Sequence, residues 1–294
     1  MTQFILSAFS DEAGAPLATQ IAALHRNRIA RTELRGVNGK NVSSLSDEEA
    51  RETARILSGE GIALSAMGSP YGKYDIDQPF APHLDAFKRG LELCGLLGAK
   101  RMRMFSFFYP KGSDPDAWKD EVFDRIDEML SLAKQAGVRL AHENEKGIYG
   151  DTDDRCRAIK DAFGDKLDVV FDPANFVQCG VDTMRALRLL GQDVAYAHIK
   201  DALASDGSVV PAGKGDGHVD ALLRALDGRG GEFMLTLEPH LTVFDGLAGL
   251  QDEKLRHAYH YPTAEAAFDA AVAALKELLS GMGFGEKEEG TWIR

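Results

Sequence analysis

The chain has 294 residues, 44% of them hydrophobic, and a formal charge of −12. That length supplies a large core and suits one α/β barrel. The acidic balance, with a pI of about 5.2, argues against nucleic acid or anionic lipid as the main partner, while leaving room for a local basic pocket. Cys94, Cys156 and Cys179 are far apart and form no CxxC pair, so neither a disulfide framework nor a zinc ribbon is expected. The N-terminus lacks a basic region and soon meets Asp11 and Glu12, unlike a signal peptide. No apolar run reaches the ~18 residues of a membrane helix. A cytoplasmic protein is expected, with no nucleic acid and no membrane as partner. A homo-oligomer is compatible with the sequence.

Strand-like and helix-like segments alternate in chain order. Gln3 to Ala8 reads as a strand, Pro16 to Asn27 as a helix with Pro in its first turn, and Ile29 to Leu34 as a polar second strand. Ser46 followed by Glu49 has capping-box spacing and starts a helix to about Glu60; Gly61 ends it, and Ile62 to Met67 is the third strand. A helix from Pro82 to Leu97 stops at Gly98, and Arg101 to Phe107 is the fourth strand. Asp116 to Gln135 is a long amphipathic helix, Val138 to Glu143 the fifth strand, and Asp153 to Phe163 a helix broken by Gly164. Leu167 to Asp172 is the sixth strand, Asp182 to Leu190 a helix, and the seventh strand ends near His198. Val219 to Leu226 is helical, the eighth strand ends at Glu238, and Thr263 to Leu279 closes the pattern as an Ala-rich helix.

These alternations give about eight strand–helix pairs, the count of a (β/α)8 TIM barrel: class α/β, a single domain over residues 1–280. Residues 281–294, rich in glycine and charge, read as a loosely held C-terminal tail. The turn after the first strand, SAFSDEAGAP, is no dinucleotide-binding fingerprint, which disfavours an open doubly wound sheet.

Glu143, Asp172, His198 and Glu238 each stand at the end of a short apolar run, on the fifth to eighth strands. Any one of them alone would be an ordinary loop residue. Four at equivalent places can converge at the barrel mouth, where three carboxylates and an imidazole suit Mn²⁺, Mg²⁺ or Co²⁺.

The runs HEN at 142–144, FDPAN at 171–175, HIKD at 198–201 and LEPH at 237–240 resemble the xylose-isomerase-like TIM-barrel superfamily, in its branch of sugar phosphate isomerases and epimerases. The resemblance covers nearly the whole chain. It implies one divalent metal ion, Mn²⁺ first and Mg²⁺ or Co²⁺ next, on Glu143, Asp172, His198 and Glu238. It also implies that Glu143 and Glu238 are the catalytic pair flanking the reacting carbon. A metal on a carbonyl oxygen and a neighbouring hydroxyl stabilises an enediolate; one carboxylate removes the proton and another returns it. Return to the same carbon from the other face epimerises, and return to the adjacent carbon isomerises. The expected substrate is a small ketose or modified sugar.

The runs do not name the substrate. A lyase or C-glycoside-cleaving enzyme on an oxidised sugar could use the same groups. An endonuclease IV-type hydrolase would need further ligands and a basic surface, and a non-catalytic sugar binder should not need both glutamates. Asn175 stands where many relatives carry a histidine and is a candidate substrate or water contact. Lys200 and His240, each two residues past a ligand, are candidates on the same side. Arg35 and Arg103, at or in buried strands, could bind hydroxyl or carboxylate groups, or simply pair with acids such as Glu33. Asp201 could support the ligand shell. His142 and Glu145 compete with Glu143, which is preferred because the residue directly before Asn is the one relatives use. Gly213 to Gly217 could cradle phosphate with Lys214, although a turn is the simpler reading.

Overall fold

A computed structural model describes residues 1–242 and 259–294. Eight parallel strands carry the frame: β1 (Thr2–Ala8), β2 (Arg31–Leu34), β3 (Ala63–Met67), β4 (Arg101–Met104), β5 (Arg139–Glu143), β6 (Asp168–Phe171), β7 (Val194–Ile199) and β8 (Gly231–Leu237). Parallel ladders run without a break from β2 through β8 to β1, the two ends of the order thereby being neighbours in sequence. Thr32 on β2 donates to the carbonyl of Ala8 on β1 at 3.0 Å, so a side chain closes the upper part of that seam. The architecture is a single-domain TIM barrel with a curled, mostly parallel sheet.

The helices follow from local signals. The first is α1 (Leu17–Arg26), capped by Pro16. Ser46 and Glu49 make the reciprocal capping box that opens α2 (Asp47–Gly59). Then comes α3 (Phe80–Leu97), which ends at Gly98 in the left-handed conformation, φ 77°. A 3₁₀ turn at Pro115–Trp118 precedes α4 (Lys119–Gln135), so the expected single helix from Asp116 has a tighter first turn. Thr152 caps α5 (Asp153–Phe163). Next is α6 (Pro173–Gln178), a short helix that the sequence pattern does not signal. Asp182 and Thr263 cap α7 (Thr183–Leu190) and α9 (Ala264–Gly281), and α8 (Val219–Arg229) lies between those two.

Strand β4 stops at Met104, short of the expected Phe107. The amides of Phe105 and Phe107 turn instead to the carbonyls of Tyr71 and Gly72 in the loop after β3, at 2.8 Å each. Gly72 allows this approach: a Cβ there would lie 2.0 Å from the Phe105 carbonyl oxygen. The terminal segment, expected to hang loosely, is a hairpin of β9 (Gly285–Glu288) and β10 (Thr291–Ile293). Strand β10 pairs antiparallel with β1, and the Gly290 carbonyl accepts the Leu6 amide at 2.7 Å. The hairpin therefore fills the lower part of the β1–β2 seam.

The main core lies between sheet and helices, with Phe87, Ile126, Ile159, Leu222 and Leu275 among its buried residues. Ala141, Val170 and Tyr196 form a small separate cluster. Alternation along β5 then sets the polarity of the mouth: Ala141 and Glu143 share one face, while His142 turns the other way onto Ser106 Oγ at 3.0 Å.

Candidate metal centre

Glu143 is the last residue of β5, and Asp172 and Glu238 directly follow β6 and β8. His198 is the penultimate residue of β7 and lies in register with Thr236 of β8. The four are 3% exposed or less, and one ligand atom from each lies within 4.8 Å of the others. Asp172 is held by its second task as N-cap of α6, its Oδ1 accepting the Asn175 amide at 2.9 Å. Asn144 fixes the same corner by exchanging hydrogen bonds with the Asp172 backbone, both at 2.9 Å.

A buried group of carboxylates needs compensation. Each glutamate has one oxygen toward His198 and the other on a guanidinium. Glu143 Oε1 is 2.9 Å from His198 Nδ1, and its Oε2 accepts from Arg103 Nη1 at 3.1 Å. Glu238 Oε2 is 3.4 Å from His198 Nδ1, and its Oε1 accepts from Arg35 Nη1 at 3.1 Å. Lys200 Nζ spans Asp172 Oδ2 at 3.0 Å and Glu238 Oε2 at 3.3 Å. Arg35 is anchored by a two-pronged bond to Asp11, both arms 2.9 Å, and a third to Glu12 at 3.0 Å. The ring of Phe9 lies under both guanidiniums, 4.4 Å from Arg35 and 5.0 Å from Arg103.

These contacts set the protonation states. Burial pushes the Glu238 carboxyl up, but Lys200, His240 and His198 outweigh it and hold it well below the carboxylate range. Burial raises Asp172, with Lys200 opposing. Burial would lower His198, yet Glu143 and Glu33 on its two sides raise it well above an ordinary imidazole. Glu12 is pushed up to about 8 by burial, against the pull of Arg35.

The other expected contacts separate clearly. Asn175, Lys200 and Arg103 join the cluster: Asn175 Nδ2 is 3.3 Å from Glu143 Oε1, and Lys200 and Arg103 take the positions given above. Arg35 and His240 flank it, with His240 Nε2 3.4 Å from Glu238 Oε1 and 3.5 Å from Glu12 Oε1. His240 has φ 46°, and its amide donates to Glu12 Oε2 at 2.6 Å. Glu145 turns to Lys73 at 2.8 Å, so Glu143 alone of the three neighbouring candidates reaches the four-residue group.

Lys214 is exposed, and the structure does not bring it into the cluster. The glycine loop beside it does cradle an anion, but that anion is Asp201. Asp201 accepts from the amides of Gly213, Gly215, Gly217 and Ala202 at 2.8–3.0 Å. Asp11, Glu12 and the contact of Glu33 with His198 were not anticipated. Asp11 and Glu12 follow β1 by three and four residues, where a strand-end signal extended into the loop would reach them, whereas nothing local announces the contact of Glu33 with His198.

The chain belongs to the family described as Xylose isomerase-like TIM barrel, whose profile matches residues 28–278. It is 23% identical over 178 residues to the uncharacterized protein YfiH of Bacillus subtilis (strain 168), a match that spans 53% of this chain and 57% of that protein. The chain thus spans little more than half the length of that relative. Among solved structures, the IolI protein with a bound zinc atom superposes with a TM-score of 0.74 at 18% identity, over 94% of this chain and 98% of that one. An L-ribulose 3-epimerase gives 0.71 at 17%, over 96% and 95%. At such identities the likeness speaks for the fold.

Proposed function

We propose that this protein is a divalent-metal-dependent sugar isomerase or epimerase acting on a ketose or modified sugar. The observation that carries the reading is the matched pair of glutamates. Glu143 and Glu238 approach the same His198 nitrogen from β5 and β8, and each has its outer oxygen on its own arginine. Two carboxylates from separate strands, across one small space, are what transfer of a proton off and onto a sugar carbon requires. An L-ribulose 3-epimerase among the structural neighbours fits this class.

The donor set fits a hard or borderline divalent ion. It offers three carboxylates and one imidazole, and Asp172 Oδ2, fully buried, faces the Lys200 ammonium at 3.0 Å but accepts no hydrogen bond among the described residues. Glu143, Asp172, His198 and Glu238 would hold the ion, with Mn²⁺ first, Mg²⁺ or Co²⁺ next. When bound, it supplies a Lewis acid that makes a C–H beside a carbonyl acidic enough to lose its proton.

The chain's own groups then divide the work. One of Glu143 and Glu238 takes the proton, and the other stands ready to deliver one. Arg103 and Arg35 each hold one oxygen of these carboxylates and so fix which oxygen faces inward. Asn175 Oδ1 is buried without a hydrogen-bond partner among the described residues, so it is open to a substrate hydroxyl. His240 and Lys200 border the same space and are further hydroxyl contacts.

The test is incubation with ketoses, their phosphates and 3-keto-glycosides in D₂O with Mn²⁺. Deuterium should enter next to the carbonyl, with an isomer or epimer as product. Cleavage products without an isomer would replace this reading with a lyase. Glu143→Gln and Glu238→Gln keep side-chain size and an oxygen ligand, so each should retain metal while turnover drops by about 10² or more. Normal turnover in either metal-loaded variant removes that residue from the chemistry.

A further inference from the structure

Glu33 is fully buried at the end of β2, across the barrel from the strands that carry the ligand set. Its Oε2 lies 3.1 Å from His198 Nε2, and its Oε1 accepts from the Tyr196 hydroxyl at 3.3 Å. The other ring nitrogen, Nδ1, is the one facing Glu143 and Glu238. Phe9 and Tyr196 pack edge-on against the ring at centroid distances of 5.1 and 5.5 Å, so the ring has little freedom to turn over.

We propose that Glu33, steadied by Tyr196, is a positioning residue that keeps the proton of His198 on Nε2 and presents Nδ1 as the metal ligand. This rests on the metal centre proposed above. A buried ionised carboxylate must receive donors, and a carboxylate accepts only. Nε2–H is a donor that Glu33 can hold, so an ion entering the cluster would displace the proton on Nδ1, the nitrogen 2.9 Å from Glu143 Oε1, and take that nitrogen's lone pair. A carboxylate on the far side of a ligating imidazole also strengthens it as a donor to the ion. The chain Tyr196–Glu33–His198 thus runs from β7 across to β2 and back to the metal ligands.

Calorimetric titration of the whole protein with Mn²⁺ and Zn²⁺ is the first measurement. Glu33→Gln keeps size and an acceptor oxygen but loses the charge. Its affinity should weaken about 10- to 100-fold, the usual consequence of losing such an outer partner. The visible spectrum of the Co²⁺-loaded variant should shift too, which loss of packing alone would not produce. A folded Glu33→Gln protein with wild-type affinity and an unchanged Co²⁺ spectrum overturns the proposal. If that variant does not fold, the wild type still decides. In the Zn²⁺ form, ¹⁵N-histidine NMR assigned with His198→Asn should show the His198 proton on Nε2. A proton on Nδ1 overturns the proposal. A wild-type protein that binds no divalent ion would instead overturn the metal centre itself, a separate result from equal binding by wild type and variant.

Discussion

Lys200 shows how finely the charges around the cluster are set. Its ammonium draws on Asp172 Oδ2 and Glu238 Oε2, oxygens belonging to two of the four residues that would take a cation. A divalent ion must therefore compete with Lys200 as well as with water. Lys200→Met removes the competing charge and should tighten Mn²⁺ binding, by about 10-fold if the competition is worth ~1.4 kcal/mol. Asp172→Asn and His198→Ala move the other way. Each deletes a proposed ligand, so affinity should fall by more than the ~10- to 100-fold typical of outer partners, with the barrel still folded. Calorimetry on folded variants reads all three; unchanged affinity in both Asp172→Asn and His198→Ala would remove the cluster as the metal site. At this scale the sequence is unevenly legible. The four clustered residues stand out because an acidic or imidazole side chain abruptly ends an apolar run. Glu33 is harder to single out: it lies inside a polar strand, and its partner His198 is 165 residues away.

Among the elements, the C-terminal hairpin departs most from expectation. Its sequence, GEKEEGTWIR, is charged and alternates weakly, because most of its strand residues are partly or fully exposed. Only Trp292, paired opposite Phe4, is buried within the two strands, and its partner strand lies at the opposite end of the chain. Nothing local announces such a pairing. Trp292→Ala should lower unfolding free energy by about 3 kcal/mol or more, as for other buried aromatic truncations. It should also loosen the β1 edge that β10 covers. Urea unfolding checks the first effect, and hydrogen exchange at Gln3–Ile5 the second; a loss under ~1 kcal/mol would show that the hairpin contributes little to the barrel. The short α6 was illegible for a different reason: its 6 residues are too few to display a helical period. The glycine loop was half legible. Its capacity to bind an anion is written in Gly213, Gly215 and Gly217, while the identity of that anion, Asp201, depends on how the chain returns past β7.

For the whole molecule, the overall charge of −12 coexists with a barrel mouth in which Arg35, Arg103 and Lys200 are buried against acids. Folding such a molecule links stability to pH through several groups, and His83 together with His142, which adjoins Glu143 but turns its ring away onto Ser106, gives the clearest sign. Burial lowers His142 from 6.5 to about 3, and burial with help from Arg125 lowers His83 from 6.5 to about 4. In the unfolded chain both take up a proton near 6.5. In the folded protein both resist until far lower pH. Between those limits the unfolded state binds more protons, so stability present above 6.5 is lost as pH falls toward 3–4. Glu12 acts with the opposite sign. Raised from 4.5 to about 8, it holds a proton in the fold that the unfolded chain has released, so its contribution declines as pH rises through that range. From 4.5 to 6.5 two histidines oppose one glutamate, and for these three groups acidification is net destabilising. His142→Gln isolates one of them. Its amide can still meet Ser106, and it carries no titrating group. The variant should start less stable at pH 7.5 because packing around Gly150 is disturbed, yet lose less on moving to pH 5. The measurement is the urea midpoint of wild type and variant at both values, without added metal. Equal losses in the two proteins would mean that His142 does not titrate differently on folding.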